Sequence, residues 1–190
     1  MMNARLYPRI LGATFATLPR AVREAHDAAT LMRGTVTVER GDSVVSRVAG
    51  VFAGLPAACV DAPCEVRFEQ IGDSERWTRD MSGSIYVSTL TPADEPHCFD
   101  ESFGLYTFRF RVHASKEGAH FELTKHTLCG IPVPRMLWPR IETRESDVEG
   151  SYAFLAEART FTGALLVRYA GRLVLAPDEK SPETFDGSCS

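Results

Sequence analysis

The sequence predicts an α+β fold: a strongly curved antiparallel sheet, half-barrel or calyx, of about ten strands, with helices near its N-terminus. Two observations predict it. Apolar residues recur every second position through most of the chain beyond residue 64, the period of a half-buried strand. Those runs are separated by short Gly-containing turns such as Ser82-Gly83, Glu149-Gly150 and Thr162-Gly163, which force antiparallel neighbours. A meander that long curls or closes.

The first thirty residues have helical spacing. Ile10, Leu11, Thr14 and Phe15 mark one helix over residues 7–15, with Pro8 in its first turn. Leu18, Val22, Ala25 and Ala29 mark the apolar face of a second. His26 sits among Arg23, Glu24 and Asp27 and reads as a solvated surface residue. Gly34, Val36 and Val38 then alternate with polar residues as a strand. Val44, Val45, Val48, Val51, Phe52 and Leu55 return to helical spacing over 44–55, a helix expected to lie on the concave side of the sheet.

The β region begins with Val66 and Phe68. Trp77, Arg79 and Met81 share one strand face, and Phe99, Glu101 and Phe103 share another. Tyr106, Phe108, Phe110 and Val112 form the cleanest alternation, and Phe121 and Leu123 return against it. Three more strands are expected over 141–148, 152–161 and 164–175. Residues 1–176 read as one domain, and residues 177–190 as an acidic, disordered tail with Asp178, Glu179, Glu183 and Asp186 against Lys180.

Charge narrows the function classes. Lys and Arg total 21 against 25 Asp and Glu, a net charge of −4. With no basic stripe, nucleic acid is not an expected partner. Arg outnumbers Lys by 18 to 3, which reads as composition rather than phosphate binding. No apolar run reaches the ~18 residues of a membrane span, and residues 1–10 show no secretory h-region. Cys59, Cys64, Cys98, Cys129 and Cys189 contain no Cys-x-x-Cys pair. They read as reduced cysteines in a cytoplasmic protein, with no metal and no cofactor expected.

Arg79 and Glu101 are the sharpest candidates, because each is a charge at the parity of large apolar neighbours. A charge inside a sheet needs a partner, and Arg suits a carboxylate. The pair reads either as a structural ion pair fixing register or as the polar anchor of a ligand. In the second case Trp77, Phe99, Phe103, Phe108 and Phe110 line the ligand's wall. His97, His113, His120 and His126 lie on polar faces and are expected in solvent. The segment Ile131-Pro-Val-Pro-Arg-Met-Leu-Trp-Pro139 is unusually apolar for a loop. It reads as a plug, a lid or a membrane-touching finger with Met136, Leu137 and Trp138 in contact. Tyr169 and Gly171 are weaker candidates, Gly171 marking a bulge or a close backbone approach.

Several segments together resemble one family. They are Leu-Tyr-Pro-Arg-Ile-Leu-Gly (6–12), Leu-Pro-x-x-Val-Arg-x-x-His (18–26), Gly-Thr-Val-Thr-Val-Glu-Arg-Gly (34–41) and Gly-Leu-Pro (54–56). Glu-Arg-Trp-Thr-Arg-Asp (75–80), Glu-Ser-Phe-Gly (101–104), Cys-Gly-Ile-Pro-Val-Pro-Arg-Met-Leu-Trp-Pro (129–139) and Val-Arg-Tyr-x-Gly-x-Leu (167–173) complete the set. Their order resembles the bacterial domain of unknown function 4166 from Leu6 to Leu175. Met81 and Ser82 depart from it, standing where an aromatic and a glycine are expected. The resemblance brings no catalytic residues. Relatives are sometimes fused to a saccharopine-dehydrogenase-like domain, which implies an oxidoreductase nearby. No Gly-x-Gly-x-x-Gly follows a strand here, so no dehydrogenase activity is inherited.

The leading expectation is a non-catalytic module that binds an apolar small molecule or lipid in a sheet cavity, anchored at Arg79 and Glu101. A small-molecule enzyme using Glu101 or His113 as acid or base is the second expectation. A docking domain for an oxidoreductase is the third.

Overall fold

The computed structural model describes residues 5–27, 29–44, 46–47 and 55–176. Its strands are β1 (Leu31–Arg40), β2 (Cys59–Ile71), β3 (Ser74–Met81), β4 (Ser84–Pro92), β5 (Cys98–Phe103), β6 (Tyr106–Ala114), β7 (Ala119–Leu128), β8 (Ile131–Pro132), β9 (Arg140–Val148), β10 (Ser151–Arg159) and β11 (Leu165–Leu175). Each pairs antiparallel with its neighbours. β1 to β7 follow one another, β9 comes next to β7, then β10 and β11, and β11 returns to β1. The curved sheet is therefore a closed barrel of ten strands rather than a half-barrel, with β8 a short addition to β7. Among the described residues, closure leaves the barrel without a free first or last strand.

Side chains of alternate residues line the interior. Facing pairs on β2 and β3 are Cys64 with Met81, Val66 with Arg79 and Phe68 with Trp77. Phe99, Phe108, Phe110, Val112 and Phe121 continue the buried surface, Phe99 and Phe121 meeting edge to face at 5.6 Å. Burial of each such ring is worth about 1.5–3 kcal/mol.

The two ends of the barrel differ. One is stoppered by α1 (Leu6–Leu11), a 3-10 turn (Gly12–Thr17) and α2 (Arg20–Asp27). Leu6, Tyr7, Leu11, Leu18, Val22 and Ala25 pack into the barrel core. The backbone N–H groups that open these short helices need acceptors, and the barrel supplies them. Leu6 N–H donates to Glu75 Oε1 at 2.7 Å, and Ala21 N–H donates to Asp147 Oδ2 at 3.0 Å. The element expected against the concave face was the helix over 44–55. Val44, Ser46 and Arg47 are helical; residues 45 and 48–54 lie outside the described residues, as does the tail over 177–190.

Among the described residues the other end is open. β7 and β9 share three residue pairs, Ala119 to Phe121 with Thr143 to Glu145, all toward the stoppered end. Beyond them the strands part, and β8 takes the edge of β7 that β9 has left. Among the described residues no helix is long and apolar enough to cross a membrane.

Two glycines make close backbone approaches at the seam between β1 and β11. Gly34 faces Leu173 and Gly171 faces Val36. A Cβ on Gly34 would stand 1.9 Å from the Arg172 carbonyl oxygen, and one on Gly171 would stand 2.3 Å from that of Thr35. Gly171 thus marks a close backbone approach. Gly34→Ala is expected to lower unfolding stability by about 1–3 kcal/mol, read as an earlier denaturant midpoint at unchanged slope.

Candidate functional site

Arg79 and Glu101 both point into the barrel. Arg79 Nη2 lies 3.3 Å from Glu101 Oε1, and Nη1 donates to Ser88 Oγ at 2.8 Å. The guanidinium also sits 4.9 Å from the Trp77 ring centre and 5.4 Å from that of Tyr86, within cation–π range. Burial is the largest influence and works against its charge, but Glu101 together with Tyr169, Tyr86 and Tyr152 outweighs it and the pKa of Arg79 is raised. Tyr86 and Tyr169 complete this polar girdle. Burial pushes both phenols above their ordinary range, Tyr86 far above, and the negative charge of Glu101 adds to this against the opposing charge of Arg79.

A second polar cluster forms the floor, against the helical stopper. Glu145 on β9 accepts from Tyr7 at 3.2 Å and meets His26 Nε2 at 2.8 Å. Tyr7 and His26 stack with ring centres 3.5 Å apart. His26 is 3% exposed, so the reading of it as a surface residue is corrected. Val22 and His26 lie four apart on α2, hence on one face, and that spacing is the signal for its burial. Tyr152 joins the cluster; burial first, then Glu145, raises its pKa well above the ordinary phenol value.

The interior is a chain of cavities. The innermost, about 70 Å³, is lined by Trp77, Arg79, Glu101, Glu145, Tyr152 and Tyr169 among others. The next, about 90 Å³, shares Glu101, Thr143 and Tyr169 with it and adds Phe103, Phe108 and Phe110. The mouth, about 270 Å³, shares Phe103, Phe108 and Ile141 with the second. Its other lining residues include Leu55, Leu137, Pro139 and Phe161. The structure therefore brings together both anchors and all five wall residues singled out in the sequence, with Phe99 in the innermost chamber.

The remaining candidates separate. His113 lies outside the barrel, half exposed and 3.0 Å from Glu122, so it cannot act on a molecule inside. His97 is half-buried at the head of β5, and His120 is exposed. His126 corrects the polar-face reading. β7 carries an extra residue, Thr124, between the partners of Arg109 and Phe110. This bulge swaps the faces beyond it and turns His126 inward. There it is 7% exposed and stacked 4.4 Å from Phe108, with both ring nitrogens buried and without a hydrogen-bond partner among the described residues. The apolar segment 131–139 is not a plug: it stands at the open end, with Met136 80% exposed. Leu137 lines the mouth, and the Trp138 indole donates to the Val133 carbonyl at 2.7 Å within the loop.

Burial lowers the pKa of His126 from its usual 6.5. As pH falls below 6.5, the unfolded chain takes up this proton before the folded one, so the fold loses stability down to the lowered value. His126→Phe is expected to remove that part of the acid-side loss. It is also expected to raise stability at neutral pH by about 1 kcal/mol, measured by denaturant titration at several pH values.

Comparison with known proteins agrees with the order of motifs. None of the curated proteins matches this chain. Among solved structures, a putative thioesterase II from Thermobifida fusca aligns over 93% of this chain and 89% of its own, at 8% identity and a TM-score of 0.23. That likeness is too slight to carry an argument about activity. The family profile described as domain of unknown function (DUF4166) matches residues 18–173, from just before α2 to the last barrel strand, and the chain belongs to that family.

Proposed function

We propose that this protein is a non-catalytic binding module that takes one amphipathic small molecule or lipid into the barrel. The observation that carries this reading is the polarity gradient of the interior: an apolar mouth leads to a girdle formed by Arg79, Glu101, Tyr86 and Tyr169. The apolar body of the ligand occupies the mouth and the middle chamber, against Phe103 and Phe108. Its head meets Arg79 and Glu101. That head is uncharged: Glu101 already answers Arg79, so an anionic head would meet a carboxylate at close range, and a cationic one a guanidinium. A hydroxyl, ester or amide can both donate to Glu101 and accept from Arg79. The mouth alone is near the lower end, about 300 Å³, of cavities that hold small organic ligands. The address in this reading is the cytoplasm, where its cysteines stay reduced.

Native mass spectrometry of freshly purified protein, with organic extraction, tests this directly. The expected result is one apolar passenger per chain, exchangeable for added 1-monolaurin and less readily for laurate. Arg79→Met is expected to weaken monolaurin binding about tenfold or more. Ala156→Phe, which fills the inner chambers that Ala156 lines, is expected to abolish it. A clean unliganded mass in every preparation, with no adduct on added monolaurin, would overturn the reading.

A further inference from the structure

We infer that the open end of the barrel docks on an anionic lipid bilayer. The inference deepens the ligand reading above and rests on it for its purpose, the transfer of an apolar molecule without passage through water. Its evidence is separate.

Among the described residues, connections at that end hold large apolar side chains out to solvent. Leu105, between β5 and β6, is 64% exposed; Ile131 and Met136, between β7 and β9, are 70% and 80% exposed; Phe161, between β10 and β11, is 51% exposed. These residues form one lip. Cys129 N–H donates to the Leu105 carbonyl at 2.8 Å, which joins the first two connections. Leu137 and Phe161 line the same cavity mouth, which joins the second to the third. Contiguous exposed apolar surface of this kind marks an interaction site.

The lip is built to hold its side chains outward. Within it Val133 N–H donates to the His126 carbonyl at 3.0 Å, and Leu137 N–H to that of Pro134 at 2.9 Å. Trp138 is bonded back to Val133, and Arg135 lies 5.7 Å from the Trp138 ring centre. The segment is therefore a braced finger with Met136 at its tip.

Charge selects the partner. From residue 123 to residue 141 the chain carries Lys125, Arg135 and Arg140 and no carboxylate, although the whole molecule is acidic at −4. All three cations are exposed. Apolar tips flanked by arginines suit the boundary between anionic headgroups and acyl chains. A rigid protein partner laid across the lip would close the cavity. A bilayer surface is continuous with the cavity's apolar contents.

Cosedimentation of the full chain with vesicles tests the inference. The wild type is expected to pellet with phosphatidylcholine vesicles containing phosphatidylglycerol, several-fold better than with phosphatidylcholine alone, and less at high salt. Ile131→Glu combined with Met136→Glu is expected to weaken this by about tenfold or more, while monolaurin uptake from solution persists. Neither residue lines the cavity. Ala156→Phe is expected to lose uptake and keep vesicle binding, so the two readings fail separately. Val174→Glu, at the stoppered end and 54% exposed in the wild type, is expected to change nothing. A wild type that ignores both vesicles, or a doubly substituted chain that still pellets, would overturn the inference. A dimer dissolved by the same two substitutions, with no vesicle binding, would assign the lip to a second copy instead.

Discussion

Three barrel carboxylates organise this molecule. Glu75, Glu145 and Asp147 take the hydrogen-bond donors of α1 and α2 and so fix the helical stopper in one end of the ring. Helices of six and eight residues are too short to persist in water alone; they exist here because the barrel satisfies their ends and buries their apolar faces. The arrangement also sets the interior's polarity. Carboxylates that serve the stopper must lie at its end of the barrel, and the opposite end is left to apolar side chains. A closed barrel of ten strands has room that side chains need not fill, and here the unfilled part lies between the floor and the mouth.

The Arg79–Glu101 pair stands midway along that gradient. Its side chains are 11% and 17% exposed, so both charges are largely removed from water. Such a pair contributes little net stability, since desolvation offsets attraction, yet breaking it by removing one partner is costly. Ser88, Trp77 and Tyr86 surround the guanidinium and hold it in one orientation. A fixed donor fork beside a fixed carboxylate is what a small polar head needs for recognition.

Much of this was legible in the sequence, and the physical reason is the period of two. Alternation put Arg79 with Trp77 and Met81, and Glu101 with Phe99 and Phe103, and all of these do face inward. The family resemblance, read from motif order, holds across the barrel. What alternation cannot carry is closure, which depends on the pairing of β1 with β11 across the whole chain. Nor could it carry His126, whose inward turn follows from one extra residue on β7. The floor was hidden for another reason. Tyr7, His26 and Glu145 come from three segments, and only tertiary packing makes Glu145 the acceptor that lets a tyrosine and a histidine be buried. The role of segment 131–139 was also open, since an apolar loop reads alike whether it fills an end or rims one.

The account turns on whether the barrel interior admits a molecule as far as the girdle. Trp77 lies beside Arg79 in the innermost chamber, and the only other tryptophan, Trp138, is at the lip. In a Trp138→Phe background, Trp77 fluorescence followed during titration with monolaurin therefore reports directly on the girdle. The account predicts a saturable change at one equivalent per chain, absent when Ala156→Phe is added. A spectrum that stays constant while monolaurin binds, or that drifts without saturating, would contradict it.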